Sequence, residues 1–343
     1  MPRFKPTITV VLLAFAGVSS AELVNVQFDE PTHDRWNYPF NFTPGARGSA
    51  STFNAINESD FDDRDGQVFI GFDTDAQLEA GLGAPYYVIV SAEVRVATSD
   101  GGFIYDDTYD SITTFSDPMD PEALNGRPCE LFGVSYRGGF SEASYVETSP
   151  FGAPAGSNYT AVRNAYATDY KDGEPVDISN HIFGEMIGSE VFPQREVAPF
   201  AVGQADGVAV GAVVPFDTDF VFALDLGNPD VDLYLRNAAN SGRLRFMLSS
   251  AHAAVMQGGE FVNWYTKDNF FGDGFAARLS MTVMTLDPIA GDINLDGVVD
   301  TADLGLLIGN FGTSNDTGDI NGDGLVDTAD LGLLIGNFGV SVS

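Results

Sequence analysis

The sequence predicts a mainly β protein, a β-sandwich or jelly-roll region over 22–288 followed by a small α-helical module over 291–339. Three observations carry this. Short runs rich in β-branched and aromatic residues recur through 22–288, separated by turn-forming Gly and Pro. Helical periodicity is scarce in the same region. Near the C-terminus a 22-residue unit occurs twice, at 291–312 and 318–339, with only Leu295 against Gly322 and Val298 against Leu325 differing.

In chain order, Arg3 and Lys5 precede an apolar run over 8–18 and the small residues Ser19, Ser20 and Ala21, the pattern of an export signal covering 1–21. The run is too short for a bilayer span, and no later stretch is apolar enough to make one. The expectation is a secreted or cell-surface protein whose mature chain begins at Glu22; an uncleaved anchor is the competing reading. Net charge is −33, from 49 acids against 16 bases. Such a surface repels nucleic acid and anionic lipid, and its excess of acid over Lys suits saline or cation-rich surroundings. Cys129 is the single cysteine, so no internal disulfide forms and burial is its expected state.

Strand-like runs fall at 67–72, 86–97, 208–214, 219–226, 244–249 and 277–286. This spacing favours a sandwich or jelly roll and leaves strand order open. Catalytic residues are not assignable: no GxSxG elbow, HExxH helix or phosphate loop is present, and His33, His181 and His252 are far apart. The acidic runs at 60–66 and 106–110 have the oxygen density for a further Ca²⁺ but lack calcium-loop spacing, so solvated turns are the plainer reading. Trp36 with Tyr38, and Trp264 with Tyr265, are candidates for stacking on sugar rings; core packing is the plainer role for each pair.

The repeat carries the most specific chemistry. Asp292, Asn294 and Asp296 alternate, Gly297 supplies a sharp turn, Val298 offers a carbonyl, and Asp300 and Asp303 complete the twelve-position pattern of a calcium loop. Asp319, Asn321, Asp323, Gly324, Leu325, Asp327 and Asp330 take the same roles in the second copy. Each loop gathers four carboxylates and no cationic side chain, and like charges ~4–6 Å apart repel by kcal/mol-scale amounts. Two Ca²⁺ ions are therefore expected, one per loop; two Asp-rich turns of an acidic protein are the alternative. One helix should follow each loop, with Leu304, Leu307, Ile308 and Phe311, then Leu331, Leu334, Ile335 and Phe338, as its apolar face. Gly312 and Gly339 end the helices, and Val299 and Val326 are expected to join the loops by a short strand contact.

A calcium loop without an entering helix, doubled at the C-terminus, resembles a type I dockerin module over 291–339. The resemblance implies docking to a cohesin-type module on a scaffold or cell surface. It also implies that loop positions 10 and 11, here Thr301 and Ala302 with Thr328 and Ala329, carry the contact in either of two orientations. The helices lack the Lys/Arg pair many such modules carry, and a calcium-stabilised cap without a partner is the plainer alternative. The larger region resembles DNRLRE-type exported β-sandwich domains through Asp34-Arg35-Trp36-Asn37-Tyr38, Ile70-Gly71-Phe72-Asp73, Val90-Ser91-Ala92-Glu93-Val94-Arg95-Val96, Val176-Asp177-Ile178 and Arg278-Leu279. That second resemblance implies a polysaccharide-binding role. The expectation is a non-catalytic exported protein; a glycoside hydrolase or polysaccharide lyase, and a structural surface or matrix protein, are the alternatives.

Overall fold

The computed structural model describes residues 21–55, 61–112, 115, 126–153, 162–187, 190–254, 261–270 and 274–342. Residues 1–20 of the export signal expected over 1–21 lie outside them, as does Asp60. The chain divides into two compact units: Leu23–Gly81 with Val88–Met284, and Leu82–Tyr87 with Thr285–Ser343 and Met1–Glu22. No helix among the described residues is long and apolar enough to cross a membrane.

The larger unit is mainly β. One sheet orders its strands Ala21–Phe28, Arg278–Leu286, Tyr87–Ala97, Asp219–Ala223 and Gln204–Ala205. The other runs Glu174–Asp177, Ala165–Lys171, Arg127–Tyr136, Arg243–Ser250, Gln67–Asp73 and His33–Asn37, with two short strands added to Arg127–Tyr136. Long pairings are antiparallel: Phe246 faces Gly133 on one side and Ile70 on the other. Phe69, Phe132, Met247, Ala165, Ala167 and Tyr145 bury one cluster of the second sheet, and the Phe28 and Phe72 rings, one from each sheet, lie 5.9 Å apart. The arrangement is consistent with a β-sandwich.

Three elements depart from expectation, each for a local reason. The Arg127–Tyr136 strand sits mid-sheet although Pro128, Glu130 and Gly133 interrupt its apolar pattern. It is tolerated because Arg64 Nη2 meets Glu130 Oε2 at 2.5 Å with both side chains fully buried. A Cβ on Gly133 would lie 2.7 Å from the Phe200 ring, so only glycine fits there. Cys129 on this strand is buried. Residues 208–214, expected as a strand, form turns with one bridge at Val213. Gly207 and Gly211 hold φ of 74° and 80° there, conformations no strand adopts. The helix Pro229–Ser241 was not expected. Asn228 caps it by accepting from Asp230 N–H, Pro229 opens it and Gly242 closes it at φ 69°.

The acidic run at 61–66 is not a solvated turn, whereas 106–110 is exposed over 107–109 and buries only Asp110. Asp62 pairs with Arg163 and accepts from Asn180 Nδ2 at 2.7 Å, and Asp63 accepts from the N–H groups of Ile182 and Phe183. Asp110 meets Arg127 at 3.1 Å. All three acids are buried, which is affordable only because guanidinium groups and backbone donors meet them. His181 Nε2 accepts from Arg64 Nε at 2.9 Å. Burial holds His181 well below the ordinary imidazole value and, with Arg127, pushes His252 down to about 3. His33 is half-buried, its value lowered by burial and by Arg245. The three histidines form no shared site.

Asp34 gives the larger unit a titration of its own. Its Oδ2 accepts from Lys267 N–H at 2.6 Å, yet burial pushes the carboxyl from 3.8 up to about 7. The folded state therefore binds the proton more tightly than the unfolded chain. This contribution is fully present below pH 4 and is lost as pH rises to 7. Asp34→Asn should gain stability relative to the parent between pH 4 and pH 7, by up to ~4 kcal/mol. Urea unfolding followed by Trp36 and Trp264 fluorescence reads this; a stability difference that stays constant across that range would contradict it.

Candidate functional site

The smaller unit carries the two repeats. Gly291 and Gly318 open them at φ of 102° and 100°. A Cβ on Gly291 would lie 2.9 Å from Leu334 Cα, so the entry to one repeat lies against the helix of the other. In the first loop Asp292 Oδ1 accepts from Asp296 N–H at 3.2 Å and Oδ2 from Gly297 N–H at 2.8 Å. Asp296 Oδ1 accepts from Val298 N–H at 3.0 Å. Asp319 and Asp323 repeat these bonds in the second loop at 3.1, 2.7 and 3.0 Å. Gly297 and Gly324 make the turn at φ of 89° and 90°.

Helices Thr301–Asn310 and Thr328–Gly336 follow. Asp300 and Asp327 cap them, each accepting at 2.7 Å from the N–H of Ala302 or Ala329. Position twelve does more than close a capping box. Asp303 Oδ2 accepts from Asp300 N–H, while Oδ1 accepts from Ile293 and Asn294 N–H at 2.8 and 3.1 Å. Asp330 does the same for Asp327, Ile320 and Asn321. One buried carboxylate thus ties the loop's start to the helix's first turn. The Asp327 N–H first, then burial acting the other way and the remaining donors, leave the Asp330 carboxyl below its usual value.

Among the described residues no three His, Cys, Asp or Glu side chains are gathered into a ready-made metal cage. The donor set nevertheless suits a hard cation. Asp292, Asn294, Asp296, Asp300 and Asp303, with the Val298 carbonyl, offer oxygen only, as do Asp319, Asn321, Asp323, Asp327 and Asp330 with Leu325. No Lys, Arg or His occurs in 291–343 to offset their charge. The Asn294 and Asn321 amides donate to Asp296 and Asp323 at 2.8 and 2.9 Å, a neutral partner where a cation would be stronger.

Two expectations about the packing need correction. Val299 and Val326 do not join the loops to each other. Val299 exchanges backbone bonds with Val340 and Gly339, and Val326 with Thr313 and Gly312, so each loop pairs with the chain leaving the other repeat's helix. The helix faces are also only partly covered. Leu307 and Leu334 are fully buried, but Ile308 and Phe311 are 61% and 46% exposed and their mates Ile335 and Phe338 are 60% and 47% exposed. Thr301, Ala302, Thr328 and Ala329 are exposed as well. A short helix pair has one inward stripe, and one leucine per helix fills it.

The repeats differ where the first loop meets 82–87. Leu295 takes φ 56°, unfavourable for a side chain with a Cβ; Gly322 takes 70° freely. Leu295 lies against Gly83, and Gly297 against Pro85. Buried Tyr86, which carries no local signal in the sequence, donates to Asp292 Oδ2 at 2.5 Å and accepts from Ile289 N–H at 3.1 Å. No equivalent donor reaches Asp319 among the described residues.

The aromatic candidates separate. Trp264 is fully buried, donates from Nε1 to Thr52 Oγ1 at 3.0 Å and packs on Phe220, so it is a core residue with no face for a ligand. Trp36 is half-buried, donates to Ser51 O at 2.8 Å, stacks on Tyr38 at 4.3 Å and carries the Arg47 guanidinium 4.6 Å from its ring. Tyr265 stacks on Phe275 and donates to Asp217 Oδ1. Elsewhere in the larger unit, a cavity of about 380 Å³ is walled by Tyr136, Phe140, Tyr166, Tyr170, Tyr234 and Arg245. Its sequence signal is the Tyr166-x-Thr168-x-Tyr170 alternation, which puts both rings on one face of a strand.

No family model matches the chain, and no curated protein matches it. Among solved structures it is similar to a type II cohesin-dockerin domain from Bacteroides cellolosolvens, at 36% identity over 16% of this chain and 88% of that one, with a TM-score of 0.15.

Asp303→Ala should leave three backbone donors without an acceptor. The amides of Ile293, Asn294 and Asp300 should then exchange hydrogen at least ~tenfold faster. Protection unchanged at these amides would show that the carboxylate does not hold the loop.

Proposed function

We propose that 291–339 is a calcium-dependent docking module of the dockerin kind, which joins the larger β unit to a cohesin-type module outside the cell. The observation that carries the reading is the outward apolar set Ile308, Phe311, Ile335 and Phe338, present once in each repeat of a module otherwise crowded with acids. An acidic unit of this size gains nothing by exposing such side chains unless something covers them. Thr301 with Ala302, and Thr328 with Ala329, are the polar and small contacts beside them, and their identity in the two repeats suits docking in either of two orientations.

Asp292, Asn294, Asp296, Val298, Asp300 and Asp303 hold one Ca²⁺ in this reading; Asp319, Asn321, Asp323, Leu325, Asp327 and Asp330 hold the other. The ion supplies the charge neutralisation that the module's own side chains lack. The larger unit is the cargo, and no catalytic residue is assigned to it.

The full chain should be captured by immobilised cohesin modules in CaCl₂ and released by EDTA. Asp296→Ala with Asp323→Ala should behave like EDTA, and Ile308→Asp with Ile335→Asp should abolish capture while leaving calcium-dependent helicity intact. Capture that survives both EDTA and the aspartate substitutions would contradict the proposal. Calcium-driven self-association of the full chain, without cohesin capture, would instead favour a structural matrix role.

A further inference from the structure

The two loops offer the same side chains in the same order, Asp-Asn-Asp-Asp-Asp, and hold them with the same internal hydrogen bonds. Any difference in how tightly they keep an ion therefore comes from their surroundings, and these differ. Asp292 is 5% exposed, whereas Asp319 is half-buried. The cover over the first loop is the segment 82–87, which belongs to the same compact unit.

Tyr86 reaches the first ligand directly. Its hydroxyl donates to Asp292 Oδ2 at 2.5 Å, the oxygen that also accepts from Gly297 N–H at 2.8 Å. Tyr86 is fixed in its turn, accepting from Ile289 N–H at 3.1 Å and donating its own N–H to Gly83 O at 3.0 Å. The loop's turn is enclosed as well. A Cβ on Gly297 would lie 2.6 Å from Val342 Cγ2 and 2.7 Å from Pro85 Cβ, and Val342 N–H donates to Gly297 O at 2.9 Å. In the second loop a Cβ on Gly322 or Gly324 would meet nothing within 4 Å.

These contacts act on ion binding in two opposed ways. Two donors on Oδ2 fix the Asp292 carboxylate and leave Oδ1 with the single 3.2 Å bond from Asp296 N–H. A ligand held in place before the ion arrives loses less freedom when it binds, and a covered carboxylate attracts a cation with less screening by water. Against this, the phenol draws some charge from the carboxylate. Hydrogen-bonding partners behind a metal ligand act in favour of binding on balance, since their removal costs about 10–100-fold in affinity. Given the calcium reading of both loops, we propose that the first loop holds its ion at least ~tenfold more tightly than the second, with Tyr86 as the positioning residue. The second loop then empties first as calcium falls, and it is the site that responds when external calcium varies.

Isothermal titration of two single-loop full-length chains with CaCl₂ separates the sites. Asp323→Ala leaves the first loop intact and Asp296→Ala leaves the second; the former chain should bind one Ca²⁺ at least ~tenfold more tightly. Tyr86→Phe keeps the ring and removes the hydroxyl. It should weaken binding ~tenfold in the Asp323→Ala chain and leave the Asp296→Ala chain unchanged. Weakening in both chains would overturn the proposal, by showing that Tyr86 serves the fold of the whole unit; weakening in neither would overturn it by showing the hydroxyl idle. The parent chain, with Tyr86 untouched, should bind its two ions in two resolved steps. One unresolved step of two ions there, or equal affinities in the two single-loop chains, would overturn the ordering while the calcium reading stands. Absence of saturable binding to the parent would remove both.

Discussion

Four carboxylates crowd each twelve-residue loop, in a 53-residue stretch, 291–343, that contains no cationic side chain. That constraint governs the smaller unit. Its charge is handled with what the backbone provides: N–H groups at the turn glycines, at the helix starts and at the loop entries all point to Asp oxygens. The position-twelve aspartates are the hinge of the arrangement, because each takes three donors from two elements. Backbone donors lower the cost of a carboxylate but cannot remove its repulsion for the next one. The oxygen lone pairs left over are those a hard cation would use.

The larger unit solves a similar problem with different means. There, buried acids are met by guanidinium groups: Glu130 by Arg64, Asp62 by Arg163, Asp110 by Arg127. The bases of this acid-rich chain are concentrated in the β unit, and several are spent inside it rather than on its surface. Removing one member of such a pair leaves an uncompensated charge, a cost of about 3–5 kcal/mol.

Much of this was legible from sequence, in proportion to how local the signal is. The repeat could be read because ligand spacing, turn glycines and helix starts all lie within twelve consecutive residues. The alternating strand 278–286 and the continuous apolar run of 67–73 were legible for the same reason. The Arg127–Tyr136 strand was not, because its Glu130 makes sense only beside Arg64, far away in sequence. The acidic run at 62–65 failed alike: three aspartates look solvated until Arg163 and Asn180 are brought to them. The helix Pro229–Ser241 has a legible Asn-Pro start and Gly end, but its mixed polarity hides the buried face. Tyr86 gave no signal at all, since its partner Asp292 lies 206 positions away. Its hydroxyl also separates the two repeats: identical ligand sets, but one loop seated on 82–87 and the other without that support.

Whether the tail is built for a divalent ion is best decided by isothermal titration of the chelator-treated full chain with CaCl₂. Two ions should bind per chain, with heats that disappear when Asp296 and Asp323 are both replaced. Absence of any saturable heat, or stoichiometry unaffected by those replacements, would contradict it.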